Sequence, residues 1–273
     1  MANNVRNLRF DLESIPRHWN GGRKSVTTFL DGLSLFFPAG ERFFVTSVRA
    51  HQQCVKDEWL ASEVRMFCGQ EGVHSREHAR YNEILKEQGY PVEKLEGRVE
   101  RLLARVTKNT SARRQLAVTC ALEHFTALLG QWLLGEPGLL DGAHPSMAAL
   151  WRWHAAEENE HKSVAFEVFL AAGGGYGERV MAMIGATVIF WAKVIEHQIR
   201  MMQADGTATS LAEWRALARF LFVEPGGMGA LVGHYLKYFR PGFHPSQIDS
   251  SGLLEAWKKE YQESPMYSEP KAA

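Results

Sequence analysis

The chain has 273 residues, which is long enough to bury one large core or two small ones and too long for a peptide or a linker. Its 31 Lys and Arg residues equal its 31 Asp and Glu residues, so no overall charge attracts nucleic acid, and charge-dependent chemistry must be local. A hydrophobic content of 45% excludes disorder for most of the chain.

The predicted elements are mainly helices. Residues 1–37 are punctuated by Gly and Asp and are predicted to form an irregular N-terminal arm. Apolar spacing and capping residues then predict helices from Pro38 to near Cys54, from Asp57 to Gly89, over 95–108, from Thr110 or Ser111 to between Gly135 and Gly142, and from Pro145 to the glycines at 173–175. Further helices are predicted over 180–192, 211–222, 229–239 and 253–262. The sequence therefore predicts an all-α protein.

The cysteine content and the apolar segments of the sequence are used to predict the cellular compartment and any membrane association. The three cysteines form no CxxC pair, which argues against a disulfide framework or a thiolate zinc site. The N-terminal segment lacks the apolar run of a secretory signal, so we expect a cytoplasmic protein. The longest uncharged apolar stretch, 180–192, is shorter than the ~20 residues that span a bilayer. It predicts a buried helix, with an interfacial helix as the alternative, and no integral membrane association.

Two predicted helices each carry a Glu-x-x-His pair, and imidazole is a common metal ligand. The pairs are Glu71 with His74 and Glu158 with His161. A three-residue step on a helix separates two side chains by about 60° and ~4.5 Å, so one cation can contact both. One such pair is often accidental, but a four-helix di-metal bundle uses the pair twice, with one further Glu from each of the other two helices.

Glu123 and Glu41 are the candidates for these two further carboxylates. Glu123 is the only acid within a strongly apolar helix, and burying it is costly unless it is paired or bound to metal. Glu41 is the only acid between Asp31 and Asp57. The alternatives are a buried Glu123 satisfied by hydrogen bonds and a Glu41 that favours its helix dipole.

Four further residues are second-shell or catalytic candidates. Glu157 directly precedes Glu158 and could orient an imidazole of the opposing pair, or be an ordinary exposed acid. His78, His124 and His154 lie near the predicted ligands, and each fits a relay or substrate-contact role about as well as that of a buried core histidine.

Four motifs resemble a bacterial family named "predicted metal-dependent hydrolase". They are FPAGERFF (37–44), QEGVHSREH (70–78), ALEHFT (121–126) and WRWHAAEENEHK (151–162), and the similarity extends to about Pro245. The family's name implies hydrolysis, whereas its motifs are similar to those of ferritin-like di-iron proteins. The resemblance implies a ferritin-like bundle over 38–172, with helices over 173–273 packed on it as part of a single domain.

The candidate ligands favour two hard cations, preferably iron, with manganese as an alternative and zinc less suited. We therefore predict an oxygen-activating di-iron oxidase or oxygenase that acts on a small or lipid-like apolar substrate. The alternative is hydrolysis, in which two cations bind a hydroxide and polarise an ester, amide or phosphate. Metal storage is a third class, which the long segment after residue 172 disfavours. A homodimer and, for redox chemistry, an electron donor are the further partners considered.

Overall fold

The computed structural model describes residues 5–267, and these residues form helices joined by short turns, without a β-strand. The prediction of an all-α protein is confirmed. The helices are α1 (Lys24–Ser34), α2 (Phe37–Arg49), α3 (Glu58–Glu87), α4 (Val92–Asn109), α5 (Ala112–Gly135), α6 (Pro145–His161), α7 (Val164–Ala171), α8 (Tyr176–Ala204), α9 (Leu211–Phe222), α10 (Leu231–Lys237) and α11 (Ser251–Glu263).

Local signals in the sequence determine where several helices begin and end. The Asp57 carboxylate caps α3 by accepting a hydrogen bond of 2.8 Å from the backbone N–H of Leu60. Pro145 is the first residue of α6, where its missing N–H costs nothing. Gly89 and Gly173 follow α3 and α7 with φ values of 88° and 74°, which an L side chain rarely adopts.

Four helices enclose a common interior. Helix α2 packs against α3 and α5, and α6 packs against α5 and α3. Helix α7 covers α5 and α3 at one end, while α8 lies outside α5 and also contacts α1. The helices that carry the predicted ligands, α2, α3, α5 and α6, are therefore neighbours.

The prediction of an irregular arm over 1–37 is wrong for residues 24–34, which form α1. Every residue of α1 except Lys24 is buried. The β-branched, Gly-containing sequence of α1 has low intrinsic helix propensity, so burial rather than propensity stabilises this helix. Residues 5–23 are irregular, yet they bury Leu8, Phe10 and Trp19 in the core.

Two other predictions are corrected. The helix predicted from Pro145 to 173–175 is interrupted after His161 by a turn at Lys162 and Ser163, where Lys162 Nζ donates to the carbonyl of Ile248 at 2.5 Å. The helix over 180–192 is not buried, because Met181 and Val188 are each 67% exposed. Its apolar residues surround the helix, and its neighbours cover only one side.

Candidate metal centre

The structure brings all six predicted ligands together. Glu41 comes from α2, Glu71 and His74 from α3, Glu123 from α5, and Glu158 and His161 from α6. Each side chain is at most 4% exposed. Successive turns of α3 and α6 aim both members of each Glu-x-x-His pair into the space between the four helices.

The carboxylates surround both imidazoles. His161 Nε2 lies 3.2 Å from Glu71 Oε1, 3.6 Å from Glu123 Oε2 and 3.7 Å from Glu158 Oε2. His74 Nδ1 lies 3.6 Å from Glu158 Oε1. Glu158 thus places one oxygen near each imidazole.

Ligand atoms gather in three overlapping groups, within each of which all atoms lie within 4.8 Å of one another. One group joins Glu71, Glu123 and His161, and another joins Glu71, His74 and Glu158. The third joins Glu41, His74 and His154. Because Glu71 and His74 each belong to two groups, the three groups form one continuous cluster of possible ligand atoms.

Eight buried atoms of this cluster have no hydrogen-bond partner among the described residues. They are both carboxylate oxygens of Glu41, Glu71 and Glu123, with Nδ1 of His74 and Nε2 of His161. Buried polar atoms are nearly always satisfied, and each that is not costs free energy. Cations bound among these atoms would satisfy all of them, so the donor set fits a metal centre.

The second nitrogen of each imidazole is held from outside the cluster. His74 Nε2 donates to Glu157 Oε2 at 2.9 Å, and His161 Nδ1 donates to Gln70 Oε1 at 3.3 Å. Arg6 donates to Glu157 Oε1 at 2.8 Å. These bonds fix the ring orientations and leave the other nitrogen of each ring facing the carboxylates.

A hydrogen-bond chain runs from His154 away from the centre. The Asn82 amide donates to Glu96, so its oxygen accepts from Ser34 Oγ at 2.6 Å. Ser34 Oγ then accepts from His78 Nδ1 at 2.9 Å, which leaves His78 Nε2 to accept from His154 Nδ1 at 2.6 Å.

Nε2 of His154 faces the cluster, where it forms a hydrogen bond with Glu158. That atom lies 2.9 Å from Glu158 Oε1 and 3.8 Å from Glu41 Oε1. His154 therefore joins the candidate ligands, beyond the outer role that its sequence position predicted, while His78 stands one bond further out.

His124 does not join the cluster. It follows Glu123 in sequence, and one residue turns a helical side chain by about 100°, so it faces away from the centre. Its ring packs against the rings of Tyr238 and Phe243, with centroids 4.8 and 5.4 Å away. Burial lowers the pKa of His124 to about 3.

Sequence reasoning missed Arg6, Ser34 and Thr126. Thr126 lies on α5, and its hydroxyl donates to Glu158 Oε2. Its position one turn after Glu123 is a usable signal. Arg6 and Ser34 lie in the region that we predicted to be irregular, where no periodic pattern assigns a direction to a side chain.

Burial and mutual repulsion shift the pKa values of the cluster. Burial and the charge of Glu71 raise the pKa of Glu41, and burial with the charges of Glu71 and Glu158 raises that of Glu123. Burial acts to lower the pKa of His74, but the neighbouring carboxylates of Glu157 and Glu158 outweigh burial and raise it to about 10. Without cations, the cluster therefore retains protons that bound metal would displace.

A cavity of about 840 Å³ lies beside the cluster. Glu41, His154 and Glu158 contribute to its wall. The rest is mainly apolar and includes Leu33, Phe36, Val99, Leu122, Leu133 and Phe190, with charged side chains at Arg113, Arg114, Glu178 and Lys193. This volume is within the range of small-molecule sites. The cavity can hold an apolar molecule with one part against the metal centre.

The chain matches no curated protein and no solved structure. The sequence profile of one family, described as "Predicted metal-dependent hydrolase", matches residues 4–249. The convergence of buried Glu and His side chains agrees with the metal dependence in that description. The chain belongs to the family of predicted metal-dependent hydrolases.

Proposed function

We propose that this protein is an enzyme that binds two metal ions between α2, α3, α5 and α6 and acts on an apolar substrate in the adjacent cavity. The observation that carries the proposal is the set of eight buried, unpartnered ligand atoms from four helices. The order of ligands along the chain is also that of a ferritin-like di-metal bundle.

In this proposal each cation would have its own ligands, and two carboxylates would serve both. Glu41 and His74 would hold one cation, Glu123 and His161 would hold the other, and Glu71 and Glu158 would contribute to both. The overlap of the ligand groups at Glu71 and the position of Glu158 near both imidazoles support this division. His154 would be a further ligand of the cation held by Glu41, because its Nε2 lies 3.8 Å from Glu41 Oε1.

The oxygen-rich ligand set favours iron or manganese over zinc. Two such cations can polarise a carbonyl group and activate water and, if they are redox-active, supply electrons to dioxygen. The chain itself orients the imidazoles through Glu157 and Gln70 and lines the adjacent cavity mainly with apolar side chains.

Hydrolysis of an ester or amide of an apolar acid is the first reaction to test, because the family description supports hydrolysis. Oxidation of an apolar substrate by dioxygen is the second candidate. The four-carboxylate ligand set favours it, because carboxylates stabilise oxidised, highly charged metal ions.

Metal content and reaction class test the proposal. Protein from iron- or manganese-supplemented cells should contain about two metal ions per chain. The Glu123→Ala variant should lose at least one, whereas Glu136→Ala, at the far end of α5, should lose none. Full occupancy in the Glu123→Ala variant would contradict the ligand assignment.

The same preparations separate the two reactions. Cleavage of long-chain model esters that persists anaerobically and with a redox-inert divalent metal supports hydrolysis. Oxygen uptake by the ferrous protein, without ester cleavage, supports oxidation. A protein that holds two metal ions and shows neither activity would contradict the enzymatic part of the proposal.

A further inference from the structure

Helix α8 exposes a continuous apolar side to solvent. Met181, Ile184, Val188 and Ile195 are 67%, 46%, 67% and 58% exposed. Together with Ile199 they are spaced by three, four or seven residues, so they share one side of the helix, called here the α8 face. An exposed apolar surface of this kind marks an interaction site.

The apolar surface continues onto α10. Val232 and Leu236 of α10 are 55% and 56% exposed. The hydroxyls of Tyr235 on α10 and Thr187 on α8 are 2.9 Å apart, which sets the two helices side by side. The exposed apolar surface is therefore broader than a single helix.

The cavity beside the metal centre opens in this surface. Met181, Gly185 and Ile189 line the cavity and are themselves exposed. The same cavity reaches Glu41 and Glu158 at the centre. An apolar path thus connects the α8 face to the candidate ligands.

Cationic side chains flank the mouth of the cavity. No Asp or Glu occurs between Glu100 and Glu123. The exposed cations of this stretch are Arg101, Arg105, Lys108, Arg113 and Arg114, called here the basic rim. Arg113 and Arg114 also line the cavity, and Arg113 contacts Glu178 of α8 at 2.8 Å. An apolar surface beside clustered Lys and Arg is complementary to an anionic lipid bilayer.

Helix α8 lies on the protein rather than apart from it. Within residues 5–267 it is the one helix long and apolar enough to cross a membrane. On its inner side, however, His197 Nδ1 donates to the carbonyl of Gly32 at 3.0 Å, and Gln198 donates to that of Ser25 at 3.1 Å. These bonds hold α8 along the body of the protein, so only its outer side is free to enter a lipid surface.

We propose that the α8 face and the basic rim dock on an anionic lipid bilayer, so that a lipid-soluble substrate enters the cavity from the membrane. The docking follows from the surface alone, whereas the supply of substrate rests on the proposed function.

A second copy of the chain fits this surface less well. A two-stranded helical contact carries charged residues beside its apolar seam. Here two of the positions beside the α8 face, Ile189 and Trp191, are apolar. A second helix over Met181 and Gly185 would also cover the mouth of the cavity. A fluid lipid surface covers a broad apolar area without closing that path.

Vesicle binding by the full-length, metal-loaded protein tests the docking. The protein should sediment with phosphatidylcholine vesicles that contain phosphatidylglycerol, and less with phosphatidylcholine alone. The double variant Val188→Asp/Ile195→Asp should lower the affinity by about tenfold or more. Trp59→Asp, which adds a charge at a 64% exposed aromatic residue on α3, is the matched control and should bind as the unaltered chain does.

A second variant tests the basic rim. Arg105→Gln/Lys108→Gln should weaken binding to anionic vesicles and reduce its dependence on salt. Val188 and Ile195 do not line the cavity, so their variant should retain its metal ions and its activity on a soluble substrate. Loss of docking is thereby distinguished from failure of the proposed function.

Two results would overturn the proposal. One is the absence of vesicle binding by the unaltered chain at low salt. The other is a stable dimer that does not bind vesicles and that the Val188→Asp/Ile195→Asp variant converts to monomers, which would assign the α8 face to a second copy.

Discussion

The two imidazoles of the candidate centre are supported by different partners. His74 donates a hydrogen bond to the carboxylate of Glu157, which Arg6 also contacts. His161 instead donates to the neutral amide oxygen of Gln70. A carboxylate makes the bonded imidazole more electron-rich than an amide does. The two proposed cation positions should therefore differ in affinity, and the position beside His74 should bind its cation more tightly.

Replacing Glu157 with Gln should weaken metal binding by about 10- to 100-fold, because the bond to His74 would lose its charge. Titration with ferrous or manganous ion, followed by competition with a chelator, measures the change. The matched control is Glu77→Gln. It neutralises another buried acid of the interior, one that contacts Arg76 and Arg80. If both variants bind metal equally, Glu157 does not support His74.

The sequence could predict that the six candidate ligands lie together because helical geometry turns spacing into direction. Glu71 and His74 must share one side of α3, and Glu158 and His161 one side of α6. Residues outside these helices that contact the site could not be predicted from helical spacing. Arg6 reaches Glu157 across 151 residues of chain, and nothing in a local pattern specifies that distance.

At the scale of elements, the approach of α5 to α6 depends on Gly130. A Cβ atom at this position would lie 2.8 Å from the carbonyl oxygen of Ala155 and 2.9 Å from Asn159 Nδ2. The first of these is backbone and cannot turn aside. Gly130 therefore sets the separation of the helices that carry Glu123 and Glu158.

The Gly130→Ala variant should be destabilised by about 1–3 kcal/mol and should bind metal more weakly, because α5 and α6 would move apart. Denaturant unfolding and metal titration measure the two effects. Gly72→Ala is the control, since a Cβ atom there meets no atom within 4 Å. That control should gain about 0.5–1 kcal/mol from the more restricted backbone of Ala. A Gly130→Ala variant as stable as this control would show that the contact is not limiting.

Helix ends could be predicted where capping residues or glycines mark them, as at Asp57 and Gly89. Helix ends could not be predicted where tertiary contacts determine their position. The interruption after His161 contains neither Gly nor Pro, and Lys162 there contacts residues 248 and 250. The exposure of α8 likewise depends on which helices pack beside it, and its own sequence does not predict those neighbours.

At the scale of the whole molecule, a buried cluster joins three separate parts of the chain. Trp19 Nε1 donates to Asp31 Oδ1 at 2.9 Å, and the hydroxyl of Tyr81 donates to the same oxygen. The cluster ties the N-terminal segment and α1 to α3. Burial raises the pKa of Asp31 to about 7, although both hydrogen bonds act to lower it.

This pKa predicts a pH dependence of stability. The ordinary pKa of an Asp carboxyl is 3.8, so between about pH 4 and 7 the folded chain holds a proton that the unfolded chain has released. The contribution of Asp31 is therefore fully present below about pH 4 and is lost as the pH rises through 7. Asn keeps an oxygen for Trp19 and Tyr81 but does not ionise, so Asp31→Asn should remove this loss.

Denaturant unfolding of the unaltered chain and of Asp31→Asn at several pH values tests this expectation. The difference in unfolding free energy should shift in favour of the variant as the pH rises from 5 to 8. Asp11→Asn, at an exposed position, should show no such shift. A difference that does not vary with pH would mean that Asp31 is already ionised in the folded protein at pH 5.

The contacts of Glu157 and Glu160 also bear on the stage of synthesis at which the candidate metal centre becomes enclosed. Glu160 receives Arg6 from the N-terminal segment at 2.7 Å and Lys258 of α11 at 3.2 Å, and the Arg6 guanidinium lies 4.9 Å from the centre of the Trp257 ring. A growing chain on the ribosome holds α2, α3, α5 and α6 long before α11 emerges. The outer side of the candidate metal centre is therefore enclosed only after α11 has been made, when the N-terminal segment and α11 meet over α6.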